Sequence, residues 1–158
     1  MSKAAAELCE SGFKLQQSND FDGAIDYYDK ALKLDPNSET AYARRSYCYA
    51  QKRDLDKAIE DIDKLLNLNP KHEEAYITRA YYHSQNGDPI SSIADCTEAI
   101  RLNPNNIKSR FGRAASYGMM MEYDKGIADF EAVLRFDPNN DQARKYIEHF
   151  KQEKKENE

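Results

Sequence analysis

Apolar residues recur along this chain at helical spacing. Ile59, Ile62, Leu65 and Leu66 fall three and four residues apart, as a helix with one buried face requires, and Tyr42 and Tyr49 continue that spacing upstream. The pattern then repeats. Pro36, Pro70, Pro104 and Pro138 stand 34 residues apart, in the phrases Leu34-Asp35-Pro36-Asn37, Leu68-Asn69-Pro70-Lys71, Leu102-Asn103-Pro104-Asn105 and Phe136-Asp137-Pro138-Asn139. Ile25, Ile59, Ile93 and Ile127 keep the same period, as do Leu32, Leu66, Ile100 and Leu134, and the small residues Ala24, Ala58, Ser92 and Gly126. A period of this length marks a stack of supersecondary units, each covering the apolar face that its neighbour leaves bare.

Polar breaks divide each unit into two predicted helices. The first begins just beyond the proline phrase, where Ser38, His72, Asn106 or Asn140 is placed to cap a run rich in acids and alanine. The second begins after Asn19-Asp20, Arg53-Asp54 or Gly87-Asp88. Pro89, outside the periodic series, fits this boundary, because the first turn of a helix tolerates a residue without an N–H.

Composition narrows the class. Only 6 Gly and 5 Pro occur in 158 residues, with 40% hydrophobic and 32% charged side chains, which favours packed helices over a sandwich or barrel. Lys plus Arg total 23 against 28 Asp plus Glu, a net charge of −5. That balance argues against nucleic acid, whose binding needs a concentrated basic surface. No apolar window approaches a signal peptide or membrane span, so a cytoplasmic protein is expected. Cys9, Cys48 and Cys96 form no CxxC pair and have no histidine at ligand spacing, so reduced, packed thiols are expected.

With these columns aligned, the chain resembles the tetratricopeptide repeat family over residues 5–140. The family pattern of bulky, small and aromatic residues in the first helix, then small, aromatic, small and proline afterwards, is met four times. The matching residues are Leu8, Gly12, Leu15, Ala24, Tyr28, Ala31 and Pro36; Tyr42, Ser46, Tyr49, Ala58, Ile62, Leu65 and Pro70; Tyr76, Ala80, His83, Ser92, Cys96, Ala99 and Pro104; and Arg110, Ala114, Tyr117, Gly126, Phe130, Val133 and Pro138. Arg110, His83 and Cys96 depart from the pattern, which predicts looser packing around them.

The resemblance implies an all-α fold, a right-handed superhelical α-solenoid of antiparallel helix hairpins with about nine helices. It would form one domain over 1–158, with repeats 5–38, 39–72, 73–106 and 107–140. A capping helix over 141–153 would bury Ala143, Tyr146, Ile147 and Phe150, and a polar tail, 154–158, should fray. Gly12, Ser46, Ala80 and Ala114 would let neighbouring hairpins approach closely.

No residues converge on catalysis: His72, His83 and His149 are scattered, and no nucleophile, phosphate-loop or metalloprotease motif is present. The chain therefore reads as a non-enzyme with no metal and no cofactor. His83 is expected to be a packed structural histidine. Arg45, Arg79 and Arg113 recur at the repeat period, each followed sixteen residues later by Asp61, Asp95 and Asp129. Opposite charges in such lockstep predict an ion pair between the helices of a hairpin rather than a ligand site.

What the resemblance implies about function is a concave groove, lined by the first helices, that holds a protein or peptide segment. The residues expected to face it are Cys9, Glu10, Phe13 and Gln17; Ala43, Arg44, Tyr47 and Gln51; Ile77, Thr78, Tyr81 and Gln85; Lys108, Phe111 and Met119; and, from the cap, Lys145 and His149. Phe13, Tyr47 and Tyr81 form an aromatic series, and Gln17, Gln51 and Gln85 an amide series one turn further on. Aromatics offer contact area at low entropic cost, and an amide can pair with both groups of a bound backbone. Charge on this face is mixed, Glu10 and Glu74 against Arg44, Lys108 and Lys145, and the lean of the positive residues towards the C-terminal half favours a segment with an acidic end.

Two alternatives stand beside this adaptor. In the chaperone-binding subset of the family, a clamp of Lys, Asn and Arg grips the C-terminal carboxylates of heat-shock chaperones. The corresponding places hold Cys9, Phe13, Arg44, Glu74 and Thr78, or Ala43, Tyr47, Thr78, Lys108 and Gly112 one repeat on, where Lys108 alone agrees. A structural subunit is the other: Met119-Met120-Met121 could form a lateral contact through Met119 and Met121, with Met120 expected in the core. Homo-oligomerisation has no further support in the sequence.

Overall fold

A computed structural model describes residues 2–157. Among them are nine helices and no strand: α1 (Lys3–Gln17), α2 (Phe21–Leu34), α3 (Glu39–Gln51), α4 (Leu55–Leu68), α5 (Glu73–Gln85), α6 (Pro89–Leu102), α7 (Ile107–Met119), α8 (Tyr123–Phe136) and α9 (Asp141–Glu156). The boundaries come from capping. Ser38, Asn106 and Asn140 accept the backbone N–H three residues on, and His72 does so through Nδ1 at 3.2 Å from Ala75 N. Asp20, Asp54 and Asp88 open the second helices in the same way, with Pro89 in the first turn of α6. Asn19, Arg53, Gly87 and Met121 adopt φ of 63°, 65°, 76° and 58° at the turns inside the hairpins. Only Gly87 takes that left-handed conformation without steric cost.

The described residues divide into two compact units between Ala75 and Tyr76, inside α5. In the first unit, α1–α3 enclose Cys9, Ala24, Ile25, Tyr28, Ala31, Leu32, Ala41 and Cys48, with Leu8, Leu15, Phe21, Tyr42 and Tyr49 packed around them. A Cβ at Gly12 would lie 2.8 Å from Cε1 of Tyr28, so the small column is what admits the buried ring. That ring carries its polar atom inward safely, because Tyr28 donates to Gln16 Oε1 at 2.8 Å.

In the second unit, Ala114, Tyr123, Ile127, Phe130, Val133, Ala143, Ile147 and Phe150 form the core of α7–α9. Phe130 stacks on Tyr146 at 5.3 Å and meets Phe150 edge-on at 5.6 Å, while Tyr123 meets Phe150 at 5.5 Å. Phe150 lies over two glycines: a Cβ at Gly118 would stand 2.7 Å from its Cζ, and one at Gly126 would overlap the ring. Thus α9 does cover the apolar face of α7 and α8.

Several details differ from the sequence expectation. α9 continues to Glu156 instead of fraying from 154, because Lys154 Nζ reaches both Asp124 oxygens at 2.8 and 2.9 Å and Gln152 bonds Glu156 at 2.5 Å. Glu158, the last residue of the expected tail, lies outside the described residues. Met120 is 36% exposed rather than core, since it caps the C-terminus of α7 on a surface turn. Cys96 is 1% exposed and Arg110 clasps the Pro104 carbonyl at 2.9 and 3.2 Å, so neither departure from the repeat pattern loosens the packing.

Candidate functional site

The periodic charges pair as expected. Arg45 donates through Nε and Nη2 to Asp61 at 2.8 and 2.6 Å, Arg79 to Asp95 at 2.8 and 2.6 Å, and Arg113 to Asp129 at 2.8 and 2.7 Å. Each is a two-point fork between the helices of one hairpin, and each aspartate is 5% exposed or less. Two further partners escaped the sequence reading. Arg45 Nη1 also reaches Asp29 on α2, and Arg113 Nη1 reaches Thr97 Oγ1 on α6 at 3.1 Å. Asp29, Asp63, Thr97 and Glu131 stand at the repeat period, and that column was the available signal.

His83 is packed between carboxylates, with Nδ1 3.8 Å from Asp88 and Nε2 3.9 Å from Asp95. Among the described residues no cluster of three His, Cys, Asp or Glu groups could hold a metal ion. Arg79→Ala is expected to cost about 3 kcal/mol, because it strands the buried Asp95 with only His83 nearby, while leaving ligand contacts untouched. Chemical denaturation alongside a binding assay checks this; selective loss of binding at unchanged stability would overturn it.

The predicted binding residues lie on two faces. In the first unit, Gln17 and Gln51 are exposed, Tyr47 is 43% exposed, and Phe13 and Arg44 are half-buried. Arg44 lies over the Phe13 ring, 3.8 Å from its centroid, and Phe21 meets Tyr47 edge-on at 6.4 Å. Cys9, expected on this face, is 5% exposed and belongs to the core. It lies one turn before Phe13 on α1, and burial beside Arg44 and the α3 cap Ser38 closes it off from solvent.

In the second unit, Tyr81 is 59% exposed and its hydroxyl accepts from Gln85 Nε2 at 2.6 Å, so the aromatic and amide columns are joined there. Lys108 and Lys145 are exposed and Ile77 is half-buried. Phe111 is half-buried and packs edge-on against Phe130 at 5.0 Å and Tyr146 at 5.9 Å, which makes it part of the seam with α9. Met119 is held to α5, accepting from Ser84 Oγ at 3.5 Å.

All three thiols are free and buried. Burial pushes Cys48 up to about 11 and Cys96 up to about 12, and raises Cys9 against the pull of Arg44. Thiolate is the reactive form, so the native protein is expected to resist a thiol-exchange reagent at neutral pH and to react fully once denatured. Fast labelling of the native protein would contradict this burial.

Repeated antiparallel helix pairs, small residues where helices cross, a covering terminal helix and exposed aromatic and amide columns on the first helices define an all-α repeat solenoid. Family profiles described as Tetratricopeptide repeat match residues 15–80 and 73–106. The chain belongs to the tetratricopeptide repeat family. No curated protein matches the sequence. Among solved structures, a MamA protein superimposes with a TM-score of 0.86 at 26% identity, covering 99% of this chain and 87% of that one. YrrB, a TPR protein with an unusual peptide-binding site, superimposes with a TM-score of 0.78 at 22% identity, covering 94% and 76%. The first TPR of Spaghetti (RPAP3), bound to the HSP90 peptide SRMEEVD, gives 0.72 at 23% identity, covering 76% and 95%. No helix of the described residues is long and apolar enough to cross a membrane.

Proposed function

We propose that this chain is a non-enzymatic adaptor that holds a segment of a partner protein on the exposed faces of its first helices. The observation that carries the reading is the exposure of Tyr47 and Tyr81, 43% and 59%, with exposed Gln51 and Gln85 one turn further along the same helices. Large rings left in water gain from being covered, and their amide neighbours on the same helices offer backbone hydrogen bonds. Phe13, Gln17 and Arg44 complete the face on the first unit; Ile77, Lys108, Phe111 and Lys145 complete that on the second. The whole chain, 1–158, acts as one functional domain in this reading, and three reduced thiols fit a cytoplasmic setting.

Peptide binding by YrrB and by the Spaghetti (RPAP3) repeat supports a segment as ligand. The latter's HSP90 peptide is not transferred to this chain. Of the clamp positions, Cys9 is buried, Phe13 underlies Arg44, and Glu74 and Thr78 bring an acid and a hydroxyl where two cations are needed.

Affinity capture with wild type and the Tyr47→Ala/Tyr81→Ala variant, both shown by circular dichroism to fold alike, tests the proposal. The variant is expected to lose specific partners, with affinity reduced at least tenfold, since each ring is worth about 1–2 kcal/mol or more when covered. Equal retention of every partner would move the function to other surfaces.

A further inference from the structure

Six cationic side chains of the described residues are half-buried: Arg44, Arg45, Arg79, Arg110, Arg113 and Lys154. Five have a carboxylate within ion-pair distance, Asp61 for Arg45, Asp95 for Arg79, Asp129 for Arg110 and Arg113, and Asp124 for Lys154. No carboxylate of the described residues lies within ion-pair distance of Arg44; its contacts are the Phe13 ring and the Tyr28 hydroxyl, a hydrogen bond that occupies the group without supplying a counter-charge. A partly desolvated charge without a counter-charge is unfavourable, and elsewhere this protein avoids it without exception.

The arrangement around Arg44 is that of a prepared receptor. Its guanidinium carbon stands 3.8 Å from the centroid of the Phe13 ring, a cation–π contact that restrains the group over the ring. A guanidinium carries paired N–H donors that match the two oxygens of a carboxylate, and because the ring contact already restrains its torsions, less entropy is lost on pairing. Tyr47 lies exposed three residues further along α3, and Gln17 and Gln51 stand exposed one turn beyond Phe13 and Tyr47.

From this we infer that the first unit recognises an acidic side chain, Asp or Glu, within the bound segment, received by Arg44 on its Phe13 platform. The inference deepens the partner-segment reading and rests on it. An internal acid suits the site better than a chain terminus. One guanidinium is offered, not several cations, and the amides of Gln17 and Gln51 extend the face for backbone that continues past the acid. The net charge of −5 repels acidic peptides in general, so a preference for them must come from a local cation.

The test uses the full chain as bait for random peptides displayed through their C-termini, so that no displayed peptide has a free terminal carboxylate. Selected peptides are expected to share one Asp or Glu. In solution, Arg44→Gln should weaken binding of such a peptide about 10–100-fold, as should changing the peptide's acid to its amide, and the two changes together should cost little more than either alone. The peptide change leaves the protein intact, so loss of fold cannot mimic it. Selected peptides without an acid, or with affinity unchanged by Arg44→Gln while Tyr47→Ala abolishes it, overturn this inference and leave the segment-binding reading standing. Failure to select any peptide, or peptides indifferent to both changes, overturns both. A peptide whose only carboxylate is its free C-terminus, binding as tightly and with the same dependence on Arg44, would show that the terminus rather than a side chain is recognised.

Discussion

Replacing Asp129 with alanine is expected to lower stability by about 3–5 kcal/mol, among the largest losses available from one substitution outside the apolar core. Asp129 is 4% exposed and receives three arginine donors, Nε and Nη2 of Arg113 at 2.8 and 2.7 Å and Nη1 of Arg110 at 3.4 Å. Removing the carboxylate strands two half-buried guanidinium groups in a site too enclosed for water to replace it fully, and the loss therefore exceeds the net worth of the pair itself. For a chain of this length the expected fall in Tm is roughly 6–20 °C. Asp124→Ala is the control: its carboxylate stands in solvent beside Lys154, and about 0–1 kcal/mol is expected. Denaturation curves measure both, and a loss at Asp129 no larger than at Asp124 would show that the buried fork does not hold the hairpin together.

Phe150→Ala is the second large effect. The side chain is 7% exposed, makes edge contacts with Tyr123 and Phe130, and fills the space over Gly118 and Gly126. Its removal deletes a full ring from a core in which the two positions beneath it, Gly118 and Gly126, carry no Cβ to fill the space; about 3–5 kcal/mol is expected. The damage should be local. Hydrogen exchange should accelerate through α7–α9 and leave α1–α4 protected, as each repeat is stabilised chiefly by its neighbours. Uniform acceleration through both units would mean that the chain unfolds as a single cooperative block.

Much of this organisation was legible in the sequence because it is written locally. The caps Ser38, His72, Asn106 and Asn140, the acids Asp20, Asp54 and Asp88, and Pro89 each act on backbone within three residues, so position alone predicts their role. The forks from Arg45, Arg79 and Arg113 were legible for a different reason: a fixed offset repeated three times fixes a fixed geometry. Side chains whose environment depends on the angle between helices were not. Cys9 and Phe13 lie one turn apart on α1, yet the small rotation between their directions buries one in the core and leaves the other under Arg44. Phe111 matches the aromatic series by composition but is drawn into the α9 seam, because its ring packs edge-on between Phe130 and Tyr146. The Arg44–Phe13 stack itself joins two columns at an offset that the repeat does not reproduce, and periodicity therefore cannot reveal it.

The second hydrogen-bond partners of the repeated arginines differ in kind between the two units. Arg45 ties its hairpin to α2 through the charged and 41% exposed Asp29, whereas Arg113 ties its own to α6 through the neutral hydroxyl of Thr97. Dissolved salt distinguishes these two fastenings, since it screens an accessible ion pair and barely touches a hydrogen bond to a hydroxyl. Ionic strength thus acts as a selective loosener. High salt is therefore expected to loosen the seam between the first two hairpins more than that between α6 and α7, a difference that hydrogen exchange at two ionic strengths reads directly.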